Sequence, residues 1–170
     1  MSGEKIQDTN MIISRTPLRV SVFGGSSDIP EFYMNYGGAV VSFAINKYVY
    51  VIVKERYDDL IVLNYTQHEI VDKVKDIKHD LIRECCLYLG IKKGIEITTL
   101  ADIPSQGSGL GSSSAVTVGL LNALGAYQKM TINAEELADL ACHIEIDVLG
   151  NPIGKQDQYA CAYGGANLIE

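Results

Sequence analysis

Pro104-Ser-Gln-Gly-Ser-Gly-Leu-Gly-Ser-Ser-Ser-Ala115 is the segment whose composition says most about chemistry. Glycines 107, 109 and 111 allow close backbone approach to a ligand and positive φ. The serines crowd toward the start of a small-residue helix predicted over residues 113–128. Unpaired N–H groups and the dipole at such a start favour an anion, so the segment has the make-up of a phosphate cradle. It is not a Walker loop, because no Gly-Lys-Ser/Thr follows, and the GxGxxG spacing of dinucleotide folds is absent. A linker or an ordinary helix start can share this composition, so the loop alone does not decide the matter.

Four charged residues have types that suit phosphoryl chemistry. Glu145 lies one residue past Ile144, at the margin of a predicted helical stripe, where a carboxylate can hold Mg²⁺ through hard oxygen contacts. Asp157 follows Gly150-Asn-Pro-Ile-Gly-Lys-Gln in a predicted loop and can take a proton from a hydroxyl nucleophile. Arg19, in Arg15-Thr-Pro-Leu-Arg19, can place a fixed positive charge beside a transferring phosphoryl group. Asp28, in Phe23-Gly-Gly-Ser-Ser-Asp28, can accept hydrogen bonds from sugar hydroxyls. Each has a plainer reading: solvated carboxylates, a surface cation and a helix cap. His143-Ile-Glu145 matches the start of the zinc-deaminase signature, but no Pro-Cys-x-x-Cys follows.

The elements that must position these residues follow from periodicity. Residues 11–23 read as extended and interrupted near Pro17, residues 39–56 as one or two strands, and residues 60–65 and 94–100 as further strands. Asp28 is placed to cap a short helix, with Pro30 near its start and Gly37-Gly38 after its end. Val74, Ile77, Leu81, Cys85, Tyr88 and Leu89 mark one helical face over residues 73–89, which Gly90 ends. Asn133 and Glu136 have capping-box spacing at the head of another helix. Its stripe is Leu137, Leu140, Ala141, Ile144 and Val148, and Gly150 is a natural stop. Residues 166–169 look like the start of a strand, so the chain is expected to stop before the natural end of the protein. Strands and helices mix without strict alternation, which gives an α+β class.

Composition narrows the function. The chain has 170 residues, 47% hydrophobic and 21% charged, values of an ordinary globular domain. The first ten residues are polar and read as a flexible tail, not a signal peptide. The longest apolar run, Tyr48–Val53, is far short of the ~20 residues of a membrane span, so no membrane partner is expected. A net charge of −7 without a basic block argues against nucleic acid. The four cysteines lack CxxC spacing and read as reduced thiols in a cytoplasmic protein.

These segments, in this order, resemble the GHMP small-molecule kinases, through Pro104 and the core Gly109-Leu-Gly-Ser-Ser113. RTPLRVSVFGGSSDIPEFY, GGAVVSFAINKYVYV and GKQDQYACAYGG look like the subgroup acting on D-glycero-D-manno-heptose 7-phosphate. The resemblance runs from about Ile12 to Gly165. It implies the ribosomal-protein-like two-layer α/β sandwich of the family's N-terminal domain over residues 11–170. It implies ATP phosphates held by Pro104, Gly107, Ser108, Gly109, Leu110, Gly111, Ser112, Ser113 and Ser114, and Mg²⁺ held by Ser113 and Glu145. Asp157 would be the base, Arg19 the cation beside it, and Lys155 a further catalytic group. Asp28, Gly25, Ser26 and Gln156 would meet a small sugar phosphate. The implied activity is ATP-dependent phosphorylation of an anomeric hydroxyl. The alternatives are a fucose- or galactose-type kinase and a non-catalytic nucleotide-binding fragment. Family members carry a second, C-terminal domain that this chain lacks, so that domain or a second chain in a homo-oligomer would have to complete the cleft.

Overall fold

The computed structural model describes residues 11–104 and 108–170, so the N-terminal tail and Gly107 lie outside the described residues. The strands are β1 (Met11–Phe23), β2 (Val40–Glu55), β3 (Ile61–Asn64), β4 (His68–Val71), β5 (Ile95–Ala101) and β6 (Ala166–Ile169). The α-helices are α1 (Pro30–Tyr36), α2 (Asp80–Tyr88), α3 (Ser112–Tyr127), α4 (Ala134–Cys142) and α5 (Gln156–Tyr163). The strands form one sheet in the order β1-β2-β5-β3-β4, and β6 also pairs with β2. Among the described residues only β3 and β5 pair in parallel; the other pairs are antiparallel. The expected mixed α+β class is what the chain adopts.

The edge strand β1 carries the first functional feature. Ser14, Thr16 and Leu18 alternate into the interior while Ile13 and Arg15 face out. Strict alternation would send Arg19 outward as well. The pairing with β2 slips between Pro17 and Arg19: Pro17 lies opposite Tyr48, but Arg19 lies opposite Ala44. This bulge buries Leu18 and Arg19 in succession. The interruption expected at Pro17 is therefore the device that turns the cation inward.

Helix α3 lies across β1 and β2 and is buried on nearly every side. Its small residues permit this. A Cβ on Gly119 would stand 3.0 Å from both Thr16 Oγ1 and Val51 Cγ2, so a larger residue would lift the helix off the sheet. Leu120, Leu121 and Leu124 join Val51, Val53, Ile95 and Ile97 in the core. A single apolar layer thus fixes where α3 begins.

Several expectations are corrected. The helix expected over 73–89 is a 3-10 turn, Val74–Asp76, followed by α2. The Lys78 N–H is taken by the Glu69 carboxylate at 2.9 Å and not by a helical carbonyl. The buried face of α2 is consequently Ile82, Cys85 and Cys86, while Tyr88 is exposed. Asp28 does not cap α1, whose cap position is Ile29 and has no side-chain bond. Strand β4 and helix α5 were not anticipated, and Asp157 sits in the first turn of α5, not in a loop.

The capping box at Asn133 and Glu136 is present, with both bonds at 3.0 Å. Beyond α4 the helix widens into a π-helical segment, His143–Val148. Leu149 N–H bonds to the Ile144 carbonyl five residues back, at 3.0 Å. A wider turn brings consecutive residues onto one face, so Ile144 and Glu145 are both 1% exposed. Val148, expected in the stripe, is turned out. Such π segments recur where a side chain must be aimed against the helical period.

Candidate active site

Three elements converge at the head of α3. Gly111 takes a left-handed conformation, φ 74°, and opens the helix. A Cβ there would meet Arg19 Cγ at 3.3 Å and Asp157 Oδ2 at 3.4 Å, so the missing side chain gives the Arg19–Asp157 pair its room. Arg19 donates from Nε to Asp157 Oδ1 at 2.7 Å, and its Nη2 lies 2.5 Å from the same oxygen. Its Nη1 donates to the Gly109 carbonyl at 2.7 Å, and its N–H to the Leu110 carbonyl at 3.1 Å. One guanidinium therefore ties the inner end of β1, the glycine loop and the first turn of α5 together. Only the planar fork of arginine does this from one side chain.

Glu145 lies deeper. Ser114 Oγ and Gln158 Nε2 both donate to its Oε2, each at 2.9 Å. Burial pushes its carboxyl above the ordinary value, and the nearby Asp157 charge adds to this. The bonds from Ser114 and Gln158 oppose the rise, as does the nearby Thr117 hydroxyl, which itself donates to the Ser113 carbonyl at 3.1 Å. Its other oxygen, Oε1, is buried without a hydrogen-bond partner among the described residues. A buried acceptor left open suits a cation. No cluster of three or more His, Cys, Asp or Glu gathers among the described residues. One carboxylate is nevertheless a fit for Mg²⁺, which typically takes one or two and fills its shell with water and phosphate oxygens.

A cavity of about 260 Å³ is lined by Arg19, Ser26, Asp28, Ser113, Asp157 and Ser114, the residue that donates to Glu145. Ser26 adopts φ 71°, an uncommon conformation for a residue with a Cβ, of the kind that clusters at functional sites. Asp28 reaches the head of α5: Oδ2 accepts the Gln156 N–H and Oδ1 accepts Gln156 Nε2, both at 3.1 Å. A second cavity of about 420 Å³ lies beyond Ser112 and Ser113, with Val49, Tyr65, Leu81, Ile103 and Val116 among its walls. Its apolar lining beside the glycine loop has the character of a slot for a flat ring.

The structure brings together Arg19, Ser26, Asp28, Ser113, Ser114, Glu145, Gln156 and Asp157, with Ser108, Gly109, Leu110, Gly111 and Ser112 along the loop. Pro104 lines the apolar cavity. It is Ser114, not Ser113, that bonds to Glu145; Ser113 is exposed at the mouth. Gly25 lines neither cavity. Lys155 is the cap residue of α5, with its Nζ 5.6 Å above the Tyr33 ring, and lines a further cavity that shares Asp28 with the first. Gln158 and Thr117 were missed in the sequence. Gln158 is 0% exposed, and it entered the sequence reading only as part of GKQDQYACAYGG, with no role of its own.

Residues 71–165 match the family described as GHMP kinases N terminal domain. D-glycero-alpha-D-manno-heptose 7-phosphate kinase of Campylobacter jejuni is 33% identical over 94% of this chain and 50% of its own length. Mevalonate kinase of Methanocaldococcus jannaschii is 29% identical over 82% of this chain and 48% of its own. The crystal structure of a D-glycero-D-manno-heptose 1-phosphate kinase from Bacteroides thetaiotaomicron superposes with a TM-score of 0.85 at 32% identity, covering 92% of this chain and 55% of the other. The chain spans about half the length of these relatives.

Proposed function

The chain belongs to the GHMP kinases, and from that membership we propose that it is the ATP-binding part of a sugar kinase. The acceptor in this reading is D-glycero-D-manno-heptose 7-phosphate, phosphorylated at its anomeric hydroxyl to the 1,7-bisphosphate. The observation that carries it is the junction of Arg19, Asp157 and the Gly109–Gly111 backbone above a buried Glu145. The kinship with a heptose phosphate kinase supports the acceptor.

In this reading the adenine ring enters the apolar cavity beside Val49 and Val116. Its phosphates run along the loop from Ser108 to Ser114, onto the N-terminus of α3. Asp157 orients the acceptor hydroxyl and receives its proton. The hydroxyl oxygen then bonds to the γ-phosphorus as the bond to the β-bridging oxygen breaks, and ADP leaves. Arg19 holds Asp157 in orientation and offsets charge growing on the transferring group. A divalent cation held at Glu145 would neutralise the β- and γ-phosphate oxygens. Asp28, Ser26 and Gln156 face the acceptor side. The C-terminal half of the longer relatives would complete that side, and buried free thiols fit a cytoplasmic setting.

The test is ADP release by the chain with Mg-ATP and each of the heptose 7-phosphate, galactose and fucose, with Asp157→Asn as control. ³¹P NMR of the product identifies the carbon phosphorylated. Release confined to the heptose phosphate, with an anomeric phosphate formed and lost in the variant, supports the reading. Release with galactose or fucose instead reassigns the acceptor. Undiminished release by Asp157→Asn overturns the role of that residue. ATP binding without turnover by any sugar makes the chain a nucleotide-binding part that needs the other half.

A further inference from the structure

Gln158 is the least explained polar residue near the site. It is fully buried, a rare place for an uncharged amide unless its hydrogen bonds are used. Its Nε2 donates to Glu145 Oε2 at 2.9 Å, and Ser114 Oγ donates to the same oxygen at the same distance. The amide is oriented by chemistry, since only its NH₂ can face a carboxylate oxygen. Two donors therefore converge on Oε2. Glu145 Oε1 and Gln158 Oε1 are both buried without a hydrogen-bond partner among the described residues.

Left so, each open acceptor costs free energy. The arrangement is asymmetric: one carboxylate oxygen is saturated and the other is kept clear. A structural polar cluster would distribute donors over both oxygens. A cation site needs one oxygen held and one presented. A hydrated divalent cation held at Glu145 Oε1 would satisfy that oxygen, and its water ligands would supply the donor that the amide oxygen lacks.

Resting on the kinase reading above, we propose that Gln158 is the positioning residue of the metal site: with Ser114 it holds one oxygen of Glu145 and so presents the other to the divalent cation. The signal sits one residue from Asp157, so a single turn of α5 aligns the group beside the acceptor and the group beside the metal. Partners that orient a metal ligand typically change metal affinity by 10–100-fold when removed.

The experiment titrates Mn²⁺ into the chain, in the presence of a non-hydrolysable ATP analogue, and follows free Mn²⁺ by electron paramagnetic resonance. The affinity for the analogue alone is measured in EDTA. Wild type, Glu145→Gln, Gln158→Met and Ser114→Ala are compared. The expected result is that Glu145→Gln loses protein-dependent Mn²⁺ binding. Gln158→Met, similar in length and unable to donate, should weaken it about tenfold with analogue affinity in EDTA unchanged. Unchanged Mn²⁺ affinity in Gln158→Met, or an equal loss of both affinities, overturns the proposal. Should Gln158→Met show no cooperative melting transition, Ser114→Ala reads the same oxygen from its other donor. A loss of Mn²⁺ affinity there at least threefold beyond any loss of analogue affinity in EDTA supports the proposal, and no such excess overturns it. Wild type that adds no Mn²⁺ binding over the analogue alone refutes the kinase reading, whereas loss in Glu145→Gln with Gln158→Met intact refutes only the role of Gln158.

Discussion

Gly154→Ala should destabilise the domain through Asp28, some 126 positions earlier in the chain. A Cβ on Gly154 would stand 2.9 Å from Asp28 Oδ1 and closer still to Oδ2, which no carboxylate tolerates. Asp28 must therefore rotate away and release the Gln156 N–H and Nε2, both now bonded at 3.1 Å. Hydrogen bonds to a charged group contribute about 1.5–3 kcal/mol each when buried, and these are only half-buried. Losing both should cost about 2–3 kcal/mol, which lowers the melting temperature of a domain this size by about 4–12 °C. The origin of the loss is tested by a double-mutant cycle in urea. Asp28→Ala removes the same two bonds by itself, and Gly154→Ala then has nothing left to displace. The double variant should be no less stable than Asp28→Ala within about 0.5 kcal/mol, giving a coupling near 2 kcal/mol. Additive losses would refute the argument, because they would mean that Gly154 acts through its own backbone and not through Asp28.

Three further outcomes follow from the same geometry. Gly111→Ala should cost about 1–2 kcal/mol by urea titration, since φ 74° is unfavourable for any residue with a Cβ. It should also weaken ATP binding, because Arg19 and Asp157 must yield; equal nucleotide affinity in calorimetry would count against the pair's placement. Glu145→Gln should raise the melting temperature in EDTA at pH 7.5, because burial disfavours the charged carboxylate that it replaces, and a lower melting temperature would contradict that account. Stability should fall on acidification below pH 6.5, through His79 and Glu69. Burial lowers the His79 pKa below its ordinary 6.5, against the opposing charges of Glu69 and Asp80, so its contribution is present above 6.5 and is lost as pH falls through the folded value. Glu69 is lowered too: burial acts to raise it, but bonds from Tyr65, Lys78 N–H and His79 N–H prevail, and its contribution is lost at lower pH. Thermal melts of His79→Phe should show a shallower slope between pH 7 and 5 than wild type, and an unchanged slope would exclude His79.

The local elements were legible where one segment contains its own instructions. The capping box at Asn133 and Glu136, the break at Pro17, the turn at Gly37 and the start of α3 after the glycine loop each depend on residues within a turn of one another. The types of the site residues were legible for the same reason. A glycine-and-serine run and isolated carboxylates restrict the chemistry before any fold is known. Helix α5 escaped because its apolar residues form one unbroken run, Tyr159–Tyr163, with no spacing to mark a face, and its N-terminus is satisfied by Asp28 from far along the chain.

Tertiary structure decided what each site residue faces. Strict alternation along β1 would put Arg19 on the outer face, and the slip of pairing against β2 turns it inward. A regular helix would keep Glu145 at a margin, and the π turn buried it. Ser113 and Ser114 are adjacent and alike, yet only the packing of α3 on the sheet selects Ser114 for Glu145. Composition and spacing thus determine which groups are available and which short elements carry them. Their protonation and partners depend on groups brought together across the chain, because burial and hydrogen bonding act through space and not along the sequence.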